Sequence, residues 1–292
     1  MLALNSRSEK RPRLPRLLSW HSSTRKTWEA RMRLANSELT TEYLEAGVRL
    51  IAAQFGESRR SLGDSVHEPD TPSPFFDWLS ERKVIDEVSR AGRLRGSQGT
   101  FEDRWKYRDF YLEDLLAYAL WEDHWSDRVD IAQESVWPLS GGADLVDAVH
   151  ETAYRDIAAA VHSDNARIAL IASLISDRYP EMKSALRDIH RMMQDTWIPV
   201  YEKMFDQRGL SLRPGITVET FADILSALSA GISMFISFDP NKNLIDDERR
   251  RSLLGEGALI LLAGCLDRGD GSSAEDLIRD FTSRTTTGQP ER

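Results

Sequence analysis

The sequence has few of the features that crosslink a chain or anchor it in a bilayer. Cysteine occurs once in 292 residues, as Cys265. A disulfide framework within the chain is therefore excluded, and the composition fits a reducing cytoplasm. No apolar run reaches the roughly 18 residues that a membrane span requires. The best candidate, residues 253–266, is interrupted by Glu256 and three glycines. These absences predict a cytoplasmic protein without membrane contact.

Motifs of common enzyme classes are missing or incomplete. Walker and paired-cysteine motifs do not occur. A Gly-Asp-Ser block at residues 63–65 stands in a Pro/Ser-rich stretch, without the scaffold that a nucleophilic serine needs. Asp147 and His150 have the spacing of one half of a di-iron site, but Glu122 and His124 do not supply the second half. We therefore expect no enzyme, cofactor or metal site, and a metal-dependent helical-bundle enzyme is the less favoured alternative.

The charge is unevenly distributed along the chain. The formal net charge is −9, yet residues 1–37 contain nine basic and two acidic residues. We predict that residues 1–37 form a basic, disordered arm. Three interpretations stay open: an arm that contacts DNA phosphates, a solvated segment without a role, or a native start at Met32. A transit peptide is less favoured.

Residues 88–112 have the pattern of two helices joined by a glycine turn. Ala91-Gly92 is typical of a helix end, and Gly99-Thr100 is typical of a helix start. Such a unit can place its second helix in a DNA major groove. Residues 90–108 contain six basic and two acidic residues. That cluster suits phosphate binding, although a solvated polar face has the same composition.

The order of residues around this turn resembles the DNA-binding domain of the TetR family of bacterial transcriptional regulators. Ala91-Gly92 is followed by Gly99-Thr100-Phe101, then by Trp105, Arg108 and an apolar helix. The resemblance implies an all-α fold with an N-terminal helix-turn-helix three-helix head and a C-terminal helical domain for ligand binding and dimerisation. The head would span residues 38–125, with its first, second and fourth helices near 40–55, 75–91 and 108–125 and the recognition helix between the last two. The second domain would span residues 126–292.

The resemblance also implies roles for single residues. Thr100 would open the recognition helix, Trp105 would be its buried aromatic residue, and Arg108 would lie beside a phosphate. Glu102 departs from the pattern, because the family has an aromatic phosphate contact there. Residues 56–74 also lengthen the connection between the first two helices. The residues expected at DNA are Arg90, Arg93, Arg95, Ser97, Gln98, Thr100, Phe101, Arg104, Lys106, Tyr107 and Arg108.

Hydrophobic periodicity predicts helices throughout the second domain, at residues 143–162, 164–178, 180–208, 217–238 and 247–267. The last two carry apolar and small residues on more than one face. That pattern fits helices that pack on their own domain and on a partner subunit. The predicted homodimer interface contains Leu228, Gly231, Ile232, Phe235, Leu254, Gly257, Ala258 and Leu261.

The helix predicted at residues 180–208 is rich in methionine and aromatic residues. Such a helix suits an adaptable small-molecule cavity, with plain core packing as the alternative. We predict a cavity enclosed by the helices at 143–162, 180–208 and 217–238. Its expected lining is Tyr154, His190, Met193, Trp197, Tyr201, Met234 and Phe235.

These patterns lead to one functional prediction. The protein would be a DNA-binding transcriptional regulator, with a repressor favoured, whose affinity for a double-stranded DNA operator is controlled by a small-molecule effector. The alternative is a helical homodimeric interaction protein that does not bind DNA.

Overall fold

A computed structural model describes residues 27–55, 76, 78–142, 144–176 and 180–286. Within these ranges the protein is predominantly helical, and the predicted all-α class is confirmed. The first 26 residues of the predicted arm and all of the predicted connection at 56–74 lie outside the described residues.

The contacts divide the chain into two compact units. The first contains the described parts of Met1–His124 and Ser163–Ile189, and the second those of Trp125–His162 and His190–Arg292. The first division, between His124 and Trp125, lies one residue before the predicted boundary. Residues 163–189 depart from the prediction, because sequence reasoning assigned them to the ligand-binding domain. They group with the first unit since their first helix packs on two helices of the head.

The first unit is built around one long helix, α2, which packs against α3, α5 and α8. Gly47 permits this packing: a Cβ atom there would lie 2.2 Å from the hydroxyl oxygen of Tyr111 and 2.6 Å from Cδ2 of Leu115. The helices of this unit are α1 (Trp28–Ala35), α2 (Glu38–Phe55), α3 (Glu81–Ala91), α4 (Gln98–Glu102), α5 (Arg108–Ala119) and α8 (Asp164–Ile175), followed by the first ten residues of α9 (Pro180–Gln207).

The predicted disordered arm is corrected over its last part, where α1 is helical. Thr27 caps this helix, because its side chain accepts a hydrogen bond from the N–H of Ala30. Thr40 Oγ1 donates to the carbonyl oxygen of Leu34 at 2.5 Å and so joins the end of α1 to α2. Sequence reasoning missed α1 because its apolar residues fall mainly at every second position, at 28, 30, 32 and 34, and so do not show the helical period.

The second unit is centred on α7, which packs against α6, α10 and α11. Its core includes Ala153, Ile157, Ile232 and Leu254. The elements of this unit are α6 (Ser126–Trp137), α7 (Leu145–His162), the rest of α9, α10 (Val218–Phe238), β1 (Ile245–Asp246), β2 (Arg251–Ser252), α11 (Leu253–Cys265) and α12 (Ala274–Thr286).

The helix predicted at 247–267 begins later than expected. Strands β1 and β2 form an antiparallel pair in which Ile245 opposes Ser252. Ser252 then caps α11, because its side chain accepts from the N–H of Gly255. A two-residue strand gives no measurable alternation, so the hairpin could not be recognised from the sequence.

Within the described residues, α10 is the one helix that is long and apolar enough to cross a membrane. The segment Val218–Ser237 has a mean hydropathy of 1.5. Core helices of globular proteins satisfy the same criterion. Phe221, Ala222 and Ile232 of α10 are buried in the second unit.

Candidate functional site

The predicted turn between two helices lies in the first unit, at residues 92–97. As predicted, α3 ends at Ala91, and Gly92 adopts the left-handed conformation with φ 73°. Helix α4 begins at Gln98, one residue before the predicted Gly99. Ser97 caps it by accepting from the N–H of Thr100, while the Thr100 side chain accepts from the N–H of Ser97. Thr100 therefore lies within the first turn of α4 rather than at its start, and its hydroxyl takes part in the N-terminal capping box.

Four aromatic rings hold α4 in place. Tyr43, Phe101, Trp105 and Tyr111 are buried, and five pairs of their ring centroids lie 5.0–6.0 Å apart. Trp105 Nε1 donates to Asp114 Oδ2 at 2.7 Å, and the Tyr111 hydroxyl donates to the carbonyl oxygen of Tyr43 at 2.8 Å. Trp105 is thus buried, as the resemblance implies. Phe101 was predicted at DNA, but it is fully buried in this cluster.

Arg104 is also an internal residue rather than an exposed phosphate ligand. Its Nε donates to Thr40 Oγ1 at 2.7 Å, and its Nη2 donates to Ser37 Oγ at 2.9 Å. Its Nη1 donates to the carbonyl oxygen of Thr100 at 2.6 Å. Burial lowers the pKa of Arg104, and nearby Tyr43 and Asp103 offset part of that effect. This side chain braces the start of α2 against the end of α4.

Arg108 has a similar bracing role. Its Nε donates to the carbonyl oxygen of Leu79 at 3.0 Å, and its Nη2 donates to that of Phe76. These carbonyls precede α3, so Arg108 fastens α5 to the segment before that helix. The prediction that Arg104 and Arg108 face phosphates is corrected, because both guanidinium groups already serve protein acceptors.

The remaining basic residues around the turn form an exposed basic surface, defined here as Arg90, Arg93, Arg95 and Lys106. Arg90 pairs with Glu87 at 2.5 Å, yet its side chain is 78 % exposed. Arg93 and Arg95 are exposed and make no ion pair with a described residue. Lys106 lies over the ring of Tyr107, 5.3 Å from its centroid, and Tyr107 is itself exposed. These side chains are available to an external partner.

The polar residues at the start of α4 lie at the surface. Ser97, Gln98 and Gly99 are exposed. Gln98 Nε2 donates to carboxylate oxygens of Glu81 and Glu102, both at 2.8 Å. A Cβ atom at Gly99 would meet nothing within 4 Å, and its φ is not in the left-handed region. The protein's own packing therefore does not require glycine there, and the surface leaves room for close approach by another molecule.

The second unit contains a cavity of about 100 Å³, bordered by α6, α7, α9, α10, α11 and the turn Pro138–Gly142 that follows α6. Most of its lining is apolar: Leu139, Val149, Ala153, Met193, Trp197, Met204, Phe221, Ala222, Leu225, Leu254, Ala258 and Leu262. Its polar lining consists of Arg128, Thr152, Asp156, Gln194, Tyr201, Ser226 and Ser229. An apolar wall with a few polar groups is the usual composition of a small-molecule site.

Arg128 and Asp156 form a bidentate ion pair in the cavity wall. Arg128 Nε and Nη2 donate to the two carboxylate oxygens at 2.8 and 2.7 Å, and Ser229 Oγ donates to Oδ2 at 3.2 Å. Burial alone would lower the pKa of Arg128, but the charge and hydrogen bonds of Asp156 raise it overall. The two charges therefore compensate each other inside the unit.

Trp197 and Tyr201 stack on the cavity side of α9, with centroids 5.6 Å apart and planes at 20°. Phe221 meets the Tyr201 ring edge-on at 5.3 Å. Neither the Tyr201 hydroxyl nor Trp197 Nε1 has a hydrogen-bond partner among the described residues. Burial, followed by the nearby negative charge of Asp156, raises the pKa of Tyr201 well above its usual value. Tyr201 is therefore a neutral hydrogen-bond donor.

Three of the seven predicted lining residues border the cavity: Met193, Trp197 and Tyr201. The other four do not, which corrects the prediction. The Tyr154 hydroxyl donates a hydrogen bond to Asp247 Oδ1 at 3.0 Å. His190 Nε2 lies 3.6 Å from Asp223 Oδ1, and most of the His190 side chain is exposed. Met234 and Phe235 are 48 % and 41 % exposed. The α10 residues that line the cavity come instead from the N-terminal part of the helix: Phe221, Ala222, Leu225, Ser226 and Ser229.

Sequence reasoning missed the charged pair of the cavity. Helix α6, which carries Arg128, was not predicted. Asp156 had a detectable signal, because it falls on the same helical face as Val149, Thr152 and Ala153 at steps of three, one and three. A carboxylate on an apolar face implies a buried partner.

Five of the eight predicted dimer-interface residues pack, wholly or in part, within the second unit: Leu228, Ile232, Leu254, Gly257 and Ala258. Ile232, Leu254 and Ala258 are buried, and the last two border the cavity. A Cβ atom at Gly257 would lie 2.5 Å from Cδ2 of Leu228, so this glycine permits contact between α10 and α11 within one chain. The buried side chains of Ile232, Leu254 and Ala258 therefore have little surface left for a partner, whereas Leu228 and Gly257 are half-buried.

The other predicted interface residues, Gly231, Phe235 and Leu261, retain accessible surface. Other apolar side chains of α10 and α11 are also exposed. We define the exposed apolar face as Ile224, Gly231, Met234, Phe235, Leu253, Ile260 and Leu261. Ile260 is 74 % exposed.

The candidate acid–histidine pair does not form a site. His150 is buried against α11, where a Cβ atom at Gly255 would lie 2.7 Å from its Nδ1, whereas Asp147 is exposed. In the part of the chain that the structure describes, no group of three or more His, Cys, Asp or Glu side chains could hold a metal ion.

Comparison with known proteins identifies no relative: no protein-family model, curated protein or solved structure matches this chain.

Proposed function

We propose that this protein is a TetR-like transcriptional regulator, a repressor whose first unit binds operator DNA and whose second unit binds a small effector. The main support for the proposal comes from the short helix α4. Its first residues, Gln98 and Gly99, are exposed and closely follow the exposed Arg93 and Arg95 in the sequence. The aromatic cluster and the Ser97–Thr100 cap support α4 from inside. Three basic residues flank α4 in the sequence and form no ion pair with a described acidic residue: Arg93, Arg95 and Lys106.

Each part of this surface suits a different part of DNA. The exposed basic surface would neutralise phosphates, which contributes most of the salt-dependent affinity. Gln98 and Glu102 are exposed and could exchange their mutual hydrogen bond for base contacts, the amide of Gln98 with adenine and the carboxylate of Glu102 with the amino group of cytosine. Gly99 would let the backbone of α4 approach the duplex closely.

The cavity in the second unit is the proposed binding site for the effector. An effector changes DNA affinity only if it binds one conformation of the protein better than another. Helix α9 carries Met193, Trp197 and Tyr201 at the cavity, while residues 180–189 of the same helix belong to the first unit. We propose that effector binding selects a conformation whose paired heads no longer match two operator half-sites.

The proposal is tested by selecting bound fragments from a random DNA pool with the purified chain. Affinity for the selected site should fall with salt at a slope of about 0.9 per phosphate contact. Arg93→Ala, Arg95→Ala and Lys106→Ala should each reduce that slope by roughly one. The matched control is Lys203→Ala, which removes an exposed charge from the second unit. An unenriched pool, or a slope that these variants leave unchanged, would contradict DNA binding.

A homodimer is the assembly that half-site recognition requires, and the exposed apolar face is our proposed interface. Ile260→Glu should shift the protein from dimer to monomer in sedimentation velocity, because a twofold axis places the new charge in the interface twice. Leu174→Glu, at an apolar residue that is 82 % exposed in the first unit, is the control and should leave the sedimentation unchanged. A wild-type monomer at micromolar concentration would refute the dimer.

The second candidate function is a homodimeric interaction protein without DNA binding. The exposed apolar face favours it, since this surface exists whether or not the first unit binds DNA. A stable dimer combined with failed DNA selection would support this candidate over the regulator.

A further inference from the structure

We infer that the cavity binds an uncharged, mainly apolar molecule that carries one hydrogen-bond-accepting oxygen, placed beside the Tyr201 hydroxyl. The inference rests on the proposed function in one respect, namely that the bound molecule acts as the effector. A water molecule needs about 10–15 Å³ of such space. The cavity of about 100 Å³ therefore holds roughly seven to ten non-hydrogen atoms, about one substituted ring.

The charged groups of the wall argue for a neutral ligand. The carboxylate of Asp156 is fully engaged by Arg128 and Ser229. A ligand carboxylate would be buried near Asp156, and a ligand ammonium would be buried near Arg128. Neither would find an unmatched opposite charge on the described wall to offset its loss of hydration.

The unpaired donors argue for an acceptor oxygen. Stacking on Trp197 and the edge contact with Phe221 fix the ring of Tyr201. Its hydroxyl is protonated at neutral pH, as in any tyrosine, and burial raises its pKa further. A donor that lacks a partner in the protein gains a hydrogen bond only from the bound molecule or from water. Trp197 Nε1 is a second donor on the same helix without a described partner.

The test uses the full chain and four ring compounds of nearly equal size. Acetophenone supplies a neutral carbonyl oxygen, and α-methylstyrene replaces that oxygen with a methylene group. Benzoate and benzylamine supply a negative and a positive charge. Dissociation constants are measured by ligand-observed NMR. We expect acetophenone to bind about tenfold more tightly than α-methylstyrene, and benzoate and benzylamine to bind more weakly than either.

Variants separate the hydrogen bond from the cavity. Tyr201→Phe should abolish the preference for acetophenone while leaving the affinity for α-methylstyrene unchanged. Ala222→Trp should prevent binding of both neutral compounds by filling the cavity. Val146→Trp, at an exposed apolar residue of α7, is the matched control and should bind them as the wild type does. The melting temperature of each variant confirms folding; if Ala222→Trp does not fold, Tyr201→Phe decides the test.

Three results would overturn the inference: equal affinities for acetophenone and α-methylstyrene, tighter binding of either charged compound, or no binding of any compound. None of them depends on DNA. Ligand binding without an operator would refute only the regulatory role, and operator binding without ligand selectivity would refute only the inference.

Discussion

The two units each contain a cluster of aromatic rings, and the clusters differ in how their polar atoms are used. In the first unit, the polar atoms of Tyr43, Trp105 and Tyr111 all have partners. In the second, Trp197 and Tyr201 stack with similar spacing, but their polar atoms have no described partners. Ring geometry is therefore a poor guide to function. Unmet hydrogen bonds beside a cavity are what separates the second cluster from the first.

The largest expected difference comes from removing one indole in each cluster. Trp105→Ala should lower the free energy of unfolding by about 3–5 kcal/mol, because a close-packed ring and a buried hydrogen bond are lost. Trp197→Ala should cost at least about 1 kcal/mol less, since one side of that ring already borders empty space. Urea denaturation measures both. Equal losses would mean that the two clusters are packed alike.

Arginines of the first unit provide the next comparison. Arg104→Ala should destabilise by about 2–3 kcal/mol, because it leaves the acceptors of Ser37, Thr40 and Thr100 without their charged donor. Arg93→Ala should change stability by no more than about 0.5 kcal/mol, as expected for an exposed side chain. Urea denaturation of both variants, each compared with the wild type, tests this division. A large loss for Arg93→Ala would show that it is also structural.

Alkaline pH should destabilise both clusters. Burial raises the pKa of Tyr111 and of Tyr201, whereas an unfolded tyrosine ionises near pH 10. The folded chain thus keeps protons that the unfolded chain releases, so stability is intact below pH 10 and declines above it. Each tyrosine contributes up to about 1.4 kcal/mol per pH unit. Phenolate absorbance against pH should show both ionising only as the protein unfolds. Gradual ionisation of either one before unfolding would contradict its burial.

The smallest expected change in stability comes from removing the hydroxyl group of one tyrosine in each cluster. Tyr111→Phe should cost about 1 kcal/mol, because its hydroxyl donates to the carbonyl oxygen of Tyr43. Tyr201→Phe should change stability by less than about 0.5 kcal/mol, because its hydroxyl has no partner to lose. Thermal unfolding at neutral pH separates these outcomes. A clear loss for Tyr201→Phe would identify it as a core residue rather than a ligand donor.

Local chemistry explains what could be predicted. Gly92 ends α3 because glycine adopts positive φ without steric cost, and no distant contact is needed to know it. The helices α7, α9 and α10 follow from apolar periodicity, and their bounds lie within two residues of those predicted. The cavity residues Met193, Trp197 and Tyr201 share one face of α9, which the spacing alone identifies.

The wrongly assigned residues show that sequence patterns do not determine which side chains are buried. Arg104 and Arg93 look equivalent in the sequence, yet one is buried among hydroxyl and carbonyl acceptors and the other is exposed. Leu254 and Ile260 are both apolar residues of α11, yet one borders the cavity and the other is exposed. Charge and hydropathy describe what a side chain can do, but not which surface its helix turns toward a neighbour.

The amino-acid sequence by itself determined the helical class, the glycine turn and the apolar stripe of α9, because these depend on backbone conformation and on spacing within a few residues. Only the tertiary structure decided which arginines are free, which face of α10 borders the cavity, and that Arg128 meets Asp156 there. These outcomes depend on pairs far apart in the chain: 28 residues separate Arg128 from Asp156, and 64 separate Arg104 from Thr40. Packing, not local preference, brings such pairs together.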